Sequence, residues 1–205
     1  MAYLIANPYA LVLVDSGAPG SEYAILKTIQ QLGRDDLRLI FITHAHLDHY
    51  GSAAALRRLT GAPIAIHTAD AQAMANADTI LGVARKRGKL VRLFFPLLEK
   101  LLKPEPTTAD QQLHDGEQLA IPGIKTNVLH TPGHTPGHCC LIVDDRFAFA
   151  GDLLSSTGKP HIQPYYAQDW KQLSSSLARL KAITPEITYP AHGDRPILNS
   201  QLQSL

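Results

Sequence analysis

The stretch Leu39-Ile40-Phe41-Ile42-Thr43-His44-Ala45-His46-Leu47-Asp48-His49 joins an apolar run directly to three histidines and an aspartate. The apolar run is short and rich in β-branched and aromatic residues, which predicts a buried strand. One residue separates His44 from His46, so an extended backbone sends both imidazoles to the same side. As the chain turns into a helix, Asp48 and His49 face a neighbouring point. The stretch therefore predicts a strand whose end delivers four side chains into one hollow.

These four side chains belong to the types that bind metal ions in proteins. Burying them without partners would cost free energy, whereas neutral imidazole and carboxylate groups are ligands of zinc, iron and manganese. The alternative is a charged, solvated loop. The density of ligand types favours a metal site that holds one or two ions.

Three later segments also carry potential ligands. They are Thr131-Pro132-Gly133-His134-Thr135-Pro136-Gly137-His138, Ala150-Gly151-Asp152 and Tyr189-Pro190-Ala191-His192-Gly193. Together with the HxHxDH pattern of residues 44–49, these segments resemble the motifs of the metallo-β-lactamase superfamily, in the same order and over nearly the whole chain. The four-part match is highly specific, whereas any one of the later motifs alone would be weak.

The resemblance implies both a ligand set and a fold. One metal would be held by His44, His46 and His134, a second by Asp48, His49 and His192, and Asp152 would bridge the two. The implied fold is α+β, a four-layer αββα sandwich; the composition alone supports only mixed α and β structure. In the resembled family the segment matching Asp15-Ser16-Gly17 lies beneath the metals, so Asp15 is expected to orient a ligand histidine. The alternative for Asp15 is an ordinary turn residue.

The composition describes an ordinary globular chain. The 205 residues are 45% hydrophobic and 18% charged, without a Gly/Ser-rich linker, so we expect a single domain over residues 1–205. The formal net charge of +1 gives no general attraction to nucleic acid or to an anionic membrane. The adjacent Cys139 and Cys140 do not suit an intrachain disulfide framework, which favours a reducing compartment and a cytoplasmic location. No run of 18 apolar residues predicts a membrane span.

Local patterns predict several elements around the motifs. A hairpin is expected over residues 3–6 and 11–14, with helices over 21–32 and 50–59 that place Leu32 and Leu59 on their inward faces. Asp169 is expected to cap a later helix, and the strand 187–189 delivers His192. His67 follows a predicted strand but lacks a matching motif, so we expect it not to bind metal.

The region from Asp78 to Lys103 combines basic and apolar residues, and it lies in a possible insertion near residues 76–108. In the resembled family, insertions here often act as lids or dimer contacts, so a homodimer is one expectation. Plain packing and attachment to a membrane surface are the alternatives. Its basic residues also favour an anionic substrate. Further along, His161, Tyr165 and Tyr166 are candidate substrate contacts; a solvated loop with packed tyrosines is the other interpretation.

Two metals at this place favour hydrolysis, with Asp48 helping to handle the proton and a metal-bridging hydroxide as the attacking group. We expect two zinc ions, with iron or manganese as alternatives, and a small-molecule ester, thioester or lactone as substrate. Glyoxalase-II-type thioesterases resemble this chain but extend well beyond the position of His192. Acyl-homoserine-lactone lactonases carry a Tyr where this chain has Ser155.

Two other functions follow from the same motifs. One is a sulfur dioxygenase of the same superfamily, with a single iron held by His44, His134 and Asp152. The other is a non-catalytic metal-binding protein, for which a lost ligand would be the expected sign. Every ligand position of the resembled family is filled in this chain, which favours the hydrolase.

Overall fold

A computed structural model describes residues 1–79, 81–86 and 88–205. The helices of the described residues are α1 (Glu22–Gln31), α2 (Leu47–Tyr50), α3 (Ala53–Thr60), α4 (Thr68–Asn76), α5 (Gly88–Leu101), α6 (Trp170–Ile183) and α7 (Asn199–Gln203), with one 3-10 turn at Gly151–Leu153. The strands are β1 (Tyr3–Ala6), β2 (Leu11–Val14), β3 (Leu37–Phe41), β4 (Ile64–His67), β5 (Val83–Ala84), β6 (Gln111–Leu113), β7 (Thr126–His130), β8 (Cys139–Val143), β9 (Phe147–Phe149), β10 (Leu154–Ser155), β11 (His161–Ile162), β12 (Tyr166–Ala167), β13 (Ile187–Tyr189) and β14 (Ile197–Leu198).

Most of these strands form two five-stranded sheets. The first has the order β1-β2-β3-β4-β6, with β1 antiparallel to β2 and the remaining pairs parallel. The second has the order β14-β13-β9-β8-β7, in which only β13 and β9 pair in parallel. The short strands β10 with β11, and β5 with β12, form two-stranded ribbons beside them.

Side chains alternate between the two faces of each sheet, so each sheet contributes to two apolar cores. In β2, Val12 and Val14 point between the sheets, while the neighbouring Leu11 and Leu13 pack with Ile25 and other buried residues of α1, α3 and α4. The second sheet repeats this arrangement, because its outer face packs against α6 and α7. Three apolar cores thus separate four layers, and the expected αββα sandwich is confirmed.

The adjacent cysteines of β8 show the same alternation. Cys139 faces the core between the sheets and Cys140 the core beneath α6, and both thiols are free. Burial raises the pKa of Cys139 well above its ordinary value, and it raises that of Cys140 to about 12. Both residues therefore behave as small apolar side chains.

Two of the predicted helices differ in detail. α1 starts at Glu22, and Leu32 is 52% exposed instead of facing inward. The helix expected over 50–59 is divided into α2 and α3, and Leu59 is 61% exposed while Leu56 is fully buried. The prediction for Leu59 was wrong. The short α2, which continues the histidine loop, determines the rotation at which α3 begins, and therefore which of its side chains face inward.

The predicted insertion near 76–108 contains β5 and α5. Antiparallel pairing of β5 with β12 joins it to the segment between β9 and β13, two strands of the second sheet, through Ala84 opposite Tyr166. Predictions that involve Ile80 and Arg87, or the side chains of Phe94, Pro96 and Leu98, lie outside the described part of the chain. Among the residues that are described, no helix is long and apolar enough to cross a membrane.

Candidate metal centre

The predicted ligands follow four strand ends that meet at one edge of the sandwich. His44 and His46 come after β3, His134 after β7, Asp152 after β9 and His192 after β13. The loops after β9 and β13 are tied together, since the Ala150 amide donates to the carbonyl oxygen of Tyr189 at 2.8 Å. Loops on a rigid scaffold can position several side chains around one point, as the sequence pattern predicted.

Three imidazoles form the first group of donors. Nε2 of His44 and Nε2 of His134 each lie 3.0 Å from Nδ1 of His46, and all three side chains are buried. Ligands of a tetrahedral zinc ion at bond lengths near 2.05 Å are roughly 3.3 Å apart. The spacing of these nitrogen atoms therefore fits one metal ion.

Asp48, His49 and His192 form the second group. Oδ2 of Asp48 lies 3.7 Å from Nε2 of His49 and 3.5 Å from Nε2 of His192. The His49 side chain is fully buried, whereas those of Asp48 and His192 are 44% and 43% exposed. The second group is consequently open to solvent on one side.

Asp152 lies between the two groups and directs one oxygen to each. Its Oδ2 is 3.5 Å from Nε2 of His134, and its Oδ1 is 3.2 Å from Nε2 of His192 and 3.4 Å from Nε2 of His49. In the described structure, Asp152 Oδ1 and His49 Nε2 are buried without a hydrogen-bonding partner. Buried polar atoms left in this state are costly, so their convergence fits a divalent cation between them.

The first group consists of neutral imidazoles. Burial, reinforced by neighbouring histidines, lowers the pKa of His46 to about 3 and that of His44 well below its ordinary value. Burial also lowers the pKa of His134. Because the neutral form is the one that binds metal, these rings are ready to ligate at neutral pH.

The second group stabilises positive charge. Burial acts to lower the pKa of His49, but the carboxylates of Asp15, Asp48 and Asp152 outweigh it and raise that pKa well above the ordinary range. Close contact with the carboxylates of Asp152 and Asp48 raises the pKa of His192 to about 9. Two carboxylates that favour nearby positive charge also suit a divalent ion.

Partners behind the rings fix which nitrogen faces the site. Nδ1 of His134 donates to the carbonyl oxygen of Tyr166 at 2.9 Å, so its Nε2 lone pair points inward. Asp15 performs the same role for His49, whose Nδ1 lies 2.8 Å from Oδ2, while Asp15 Oδ1 accepts from the Thr43 amide at 2.8 Å. Asp15 thus contacts His49 from behind the ring, the kind of contact that orients a ligand histidine. Its φ of +58° is a left-handed conformation held at a functional edge.

Sequence reasoning missed Asp70, a buried carboxylate that joins the two histidine loops. Its Oδ2 accepts from the Ala45 amide at 2.9 Å and from Thr135 Oγ1 at 2.7 Å, and its Oδ1 accepts from the Gly137 amide at 2.6 Å. An aspartate in the first turn of α4 carries no signal of this role, because its partners are distant in sequence.

Gln163 and His138 were also missed, and both hold Asp152. Gln163 Nε2 donates to Asp152 Oδ2 at 3.2 Å, and its Oε1 accepts from the Tyr165 amide at 3.1 Å. Nε2 of the buried His138 accepts from the Asp152 amide at 3.1 Å. The second histidine of the TPGHTPGH segment was the available signal for His138; nothing in the sequence marked Gln163.

A cavity of about 490 Å³ opens beside the two donor groups. His161, Tyr165 and Tyr166 line it, so the three substrate-contact candidates are brought together with His46, Asp48, His134, Asp152 and His192. The lining also includes the apolar side chains of Leu81 and, from α5 and the residue after it, Phe95 and Leu102. Small-molecule sites typically combine such apolar side chains with a few polar groups. His67 lies outside this cavity lining and outside both donor groups.

Comparisons with known proteins agree with this geometry. The family model for the metallo-beta-lactamase superfamily matches residues 1–192. A probable metallo-hydrolase, YflN, of Bacillus subtilis is 27% identical over 93% of this chain and 78% of its own length. An atrochrysone carboxyl ACP thioesterase of Aspergillus fumigatus is 24% identical over 93% of this chain and 37% of its own. The chain thus spans between 37% and 78% of the lengths of the curated relatives that it matches.

Solved structures give the same assignment. A metallo-beta-lactamase of Cronobacter sakazakii with an HARLDQ motif superposes with a TM-score of 0.72 at 29% identity, covering 94% of this chain and 71% of the other. The fold, the His and Asp groups and the family match together imply that a divalent metal binds at this edge. The chain belongs to the metallo-β-lactamase superfamily, and it is an enzyme of that superfamily.

Proposed function

We propose that this protein is a dinuclear zinc hydrolase that cleaves a small-molecule ester, thioester or lactone. The observation that carries the proposal is the position of Asp152, whose two oxygens face two separate donor groups at the wall of one cavity. Residues would divide as the motifs predicted: His44, His46 and His134 for one ion, Asp48, His49 and His192 for the other. When bound, two such ions would activate water and polarise the bond to be cleaved.

The side chains around the ions would position the substrate and move the proton. Burial acts to raise the pKa of Asp48, but the charge of His49 and close contact with His192 outweigh it and lower that pKa. Asp48 is therefore an ionised carboxylate at neutral pH, at the cavity wall, and in the proposed reaction it accepts a proton. Tyr165, Tyr166 and His161 would contact the polar part of the substrate.

The cavity supports a substrate with an apolar portion. Its volume of about 490 Å³ lies within the range of ordinary small-molecule sites. Leu81, Phe95 and Leu102 offer apolar contact in its lining, so we expect an acyl or aromatic group there. The name of the thioesterase relative also supports thioesters as the first class to test.

The test is elemental analysis of protein purified without added metal, beside the Asp152→Ala variant. We expect about two zinc ions per chain, and a loss of at least one in the variant together with a fall in hydrolysis of about 10³-fold or more. Asp35→Ala, which removes an exposed carboxylate before β3, at the opposite end of that strand from the histidine loop, serves as the control. One iron per chain would favour the dioxygenase, and metal-free protein with full hydrolase activity would contradict the proposal.

A further inference from the structure

A row of exposed leucines follows one side of α5. Leu90, Leu93, Leu97 and Leu101 are spaced by three and four residues, so they share one helix face, and they are 62% to 73% exposed. Other exposed leucines, such as Leu32 and Leu198, lie on separate elements. A contiguous apolar surface of this kind marks an interaction site.

Basic side chains border this leucine row. At roughly 100° per residue, the exposed Lys89 and Lys100 lie beside the leucines, and the exposed Arg92 lies further round the helix. The sequence from residue 85 to 103 contains seven basic residues and one acidic residue, although the whole chain has a net charge of only +1. Three of these basic residues, Lys89, Arg92 and Lys100, lie in α5, and the other four lie just before or after it, so the positive charge is concentrated in this segment.

α5 also forms part of the cavity wall. At roughly 100° per residue, Phe95 lies on the side of α5 away from the leucine row, and Phe95 and Leu102 line the cavity beside the donor groups. One helix therefore carries the exposed leucine row on one side and a cavity residue on the other. A partner that covers the row would lie one helix width from the cavity.

Charge decides between the occupants of this face. A second copy of the chain would bring the basic residues of two α5 segments together, and like charges across an interface are unfavourable. An anionic bilayer has the complementary properties: leucines enter the acyl boundary while lysines and arginines meet the acidic headgroups. We propose that α5 docks this protein onto anionic lipid membranes, lying in the plane of the interface with the cavity beside the lipid surface.

Co-sedimentation of the metal-loaded full chain with lipid vesicles tests the proposal. We expect binding to phosphatidylcholine vesicles that contain about a third phosphatidylglycerol, and at least about tenfold weaker binding to phosphatidylcholine alone. Binding should also weaken between about 0.1 M and 1 M salt, because the Debye length falls from about 10 to about 3 Å.

Variants test separately how much the leucine row and the basic residues beside it contribute to vesicle binding. The pair Leu93→Glu and Leu97→Glu should reduce binding to anionic vesicles about tenfold or more, since it places charges where the acyl boundary would be. Lys89→Gln and Lys100→Gln should each reduce it roughly fivefold. The pair Leu59→Glu and Leu198→Glu, at exposed leucines of other elements, is the matched control and should bind as the wild type does. Unchanged metal content and circular dichroism verify that each variant is folded.

The proposal fails if the wild type binds neither kind of vesicle, or if the Leu93 and Leu97 variant binds as well as the control. Light scattering identifies what covers the row in that case. A dimer that the Leu93 and Leu97 variant dissociates, without vesicle binding, would assign the row to a second copy. A monomer that ignores vesicles would leave an acidic protein as the occupant, and this result also overturns membrane docking.

Discussion

Two regions of this molecule each bring three histidines together, but with opposite geometry. In the metal centre, nitrogens of His44 and His134 lie 3.0 Å from Nδ1 of His46, so three lone pairs can meet at one point. In the second cluster, His67 and His130 stack with ring centroids 3.9 Å apart and planes 11° apart, and His114 stands 6.2 Å from His67.

The difference shows that clustering of histidines does not by itself make a metal site. Within the described residues, no set of three donor atoms that lie within 4.8 Å of one another includes His67. Stacked rings direct their nitrogens sideways in parallel, whereas rings at steep angles to one another can direct them to a common point. Partners such as Asp15 and the Tyr166 carbonyl set the ring angles in the metal centre.

The strongest test of this comparison removes one histidine from each donor group. His134→Ala takes a ligand from the buried group and should abolish zinc binding there, with a fall in activity of about 10³-fold or more. His192→Ala affects the open group and should leave about one zinc per chain. Elemental analysis and hydrolysis assays measure both. Equal loss of both ions in the two variants would show that the groups bind metal as one unit.

The two buried carboxylates beneath the loops provide the next test. Asp15→Asn weakens the contact to His49, so the affinity of the second group for zinc should fall about 10-fold to 100-fold. Asp70→Asn is the matched variant, since Asp70 holds the loops of the first group through Ala45 and Thr135 and contacts no ring of the second. Zinc titration of chelator-treated protein distinguishes them. The interpretation is wrong if Asp15→Asn weakens the first group alone.

A smaller effect is expected at Gln163. Gln163→Ala removes the hydrogen bond to Asp152 Oδ2 and frees the Tyr165 amide, so kcat should fall roughly fivefold and KM should rise as the cavity wall loosens. Steady-state kinetics with the best ester or thioester measure both constants. Gln112→Ala, at an exposed position of β6, is the control and should leave both constants unchanged.

The smallest effect concerns the stacked cluster. Burial, with His130 and His114, lowers the pKa of His67 to about 4, below the value near 6.5 expected in the unfolded chain. The unfolded state therefore binds more protons between these values, and stability is lost as the pH falls from about 6.5 to about 4.

His67→Asn should flatten this part of the stability curve without changing zinc content. Asn retains an acceptor at the N-cap of α4, where His67 Nδ1 accepts from the Ala69 amide at 3.2 Å. Chemical denaturation of wild type and variant across this pH range gives the difference. A loss of zinc in His67→Asn would contradict the distinction between the two clusters.

The sequence was most informative where motifs are short and local. The pattern of residues 44–49 predicted a strand end that delivers four side chains into one hollow, because spacing along a strand fixes the direction of each side chain. The four layers and the full donor set were implied by the resemblance to the metallo-β-lactamase superfamily. Asp70 and Gln163 could not be found in this way, since each acts on a loop at least eleven residues away. The predicted inward face of α3 was wrong for a related reason. Tertiary contacts of the histidine loop determine which residues of α3 face inward, and periodicity alone does not show these contacts.

The position of the adjacent cysteines on β8 makes them a pair of native chemical reporters. Because one thiol is sealed between the sheets and the other beneath α6, a thiol reagent reaches each only when its own layer opens. The order in which Cys139 and Cys140 become labelled in mild denaturant therefore records which layer of the sandwich separates first.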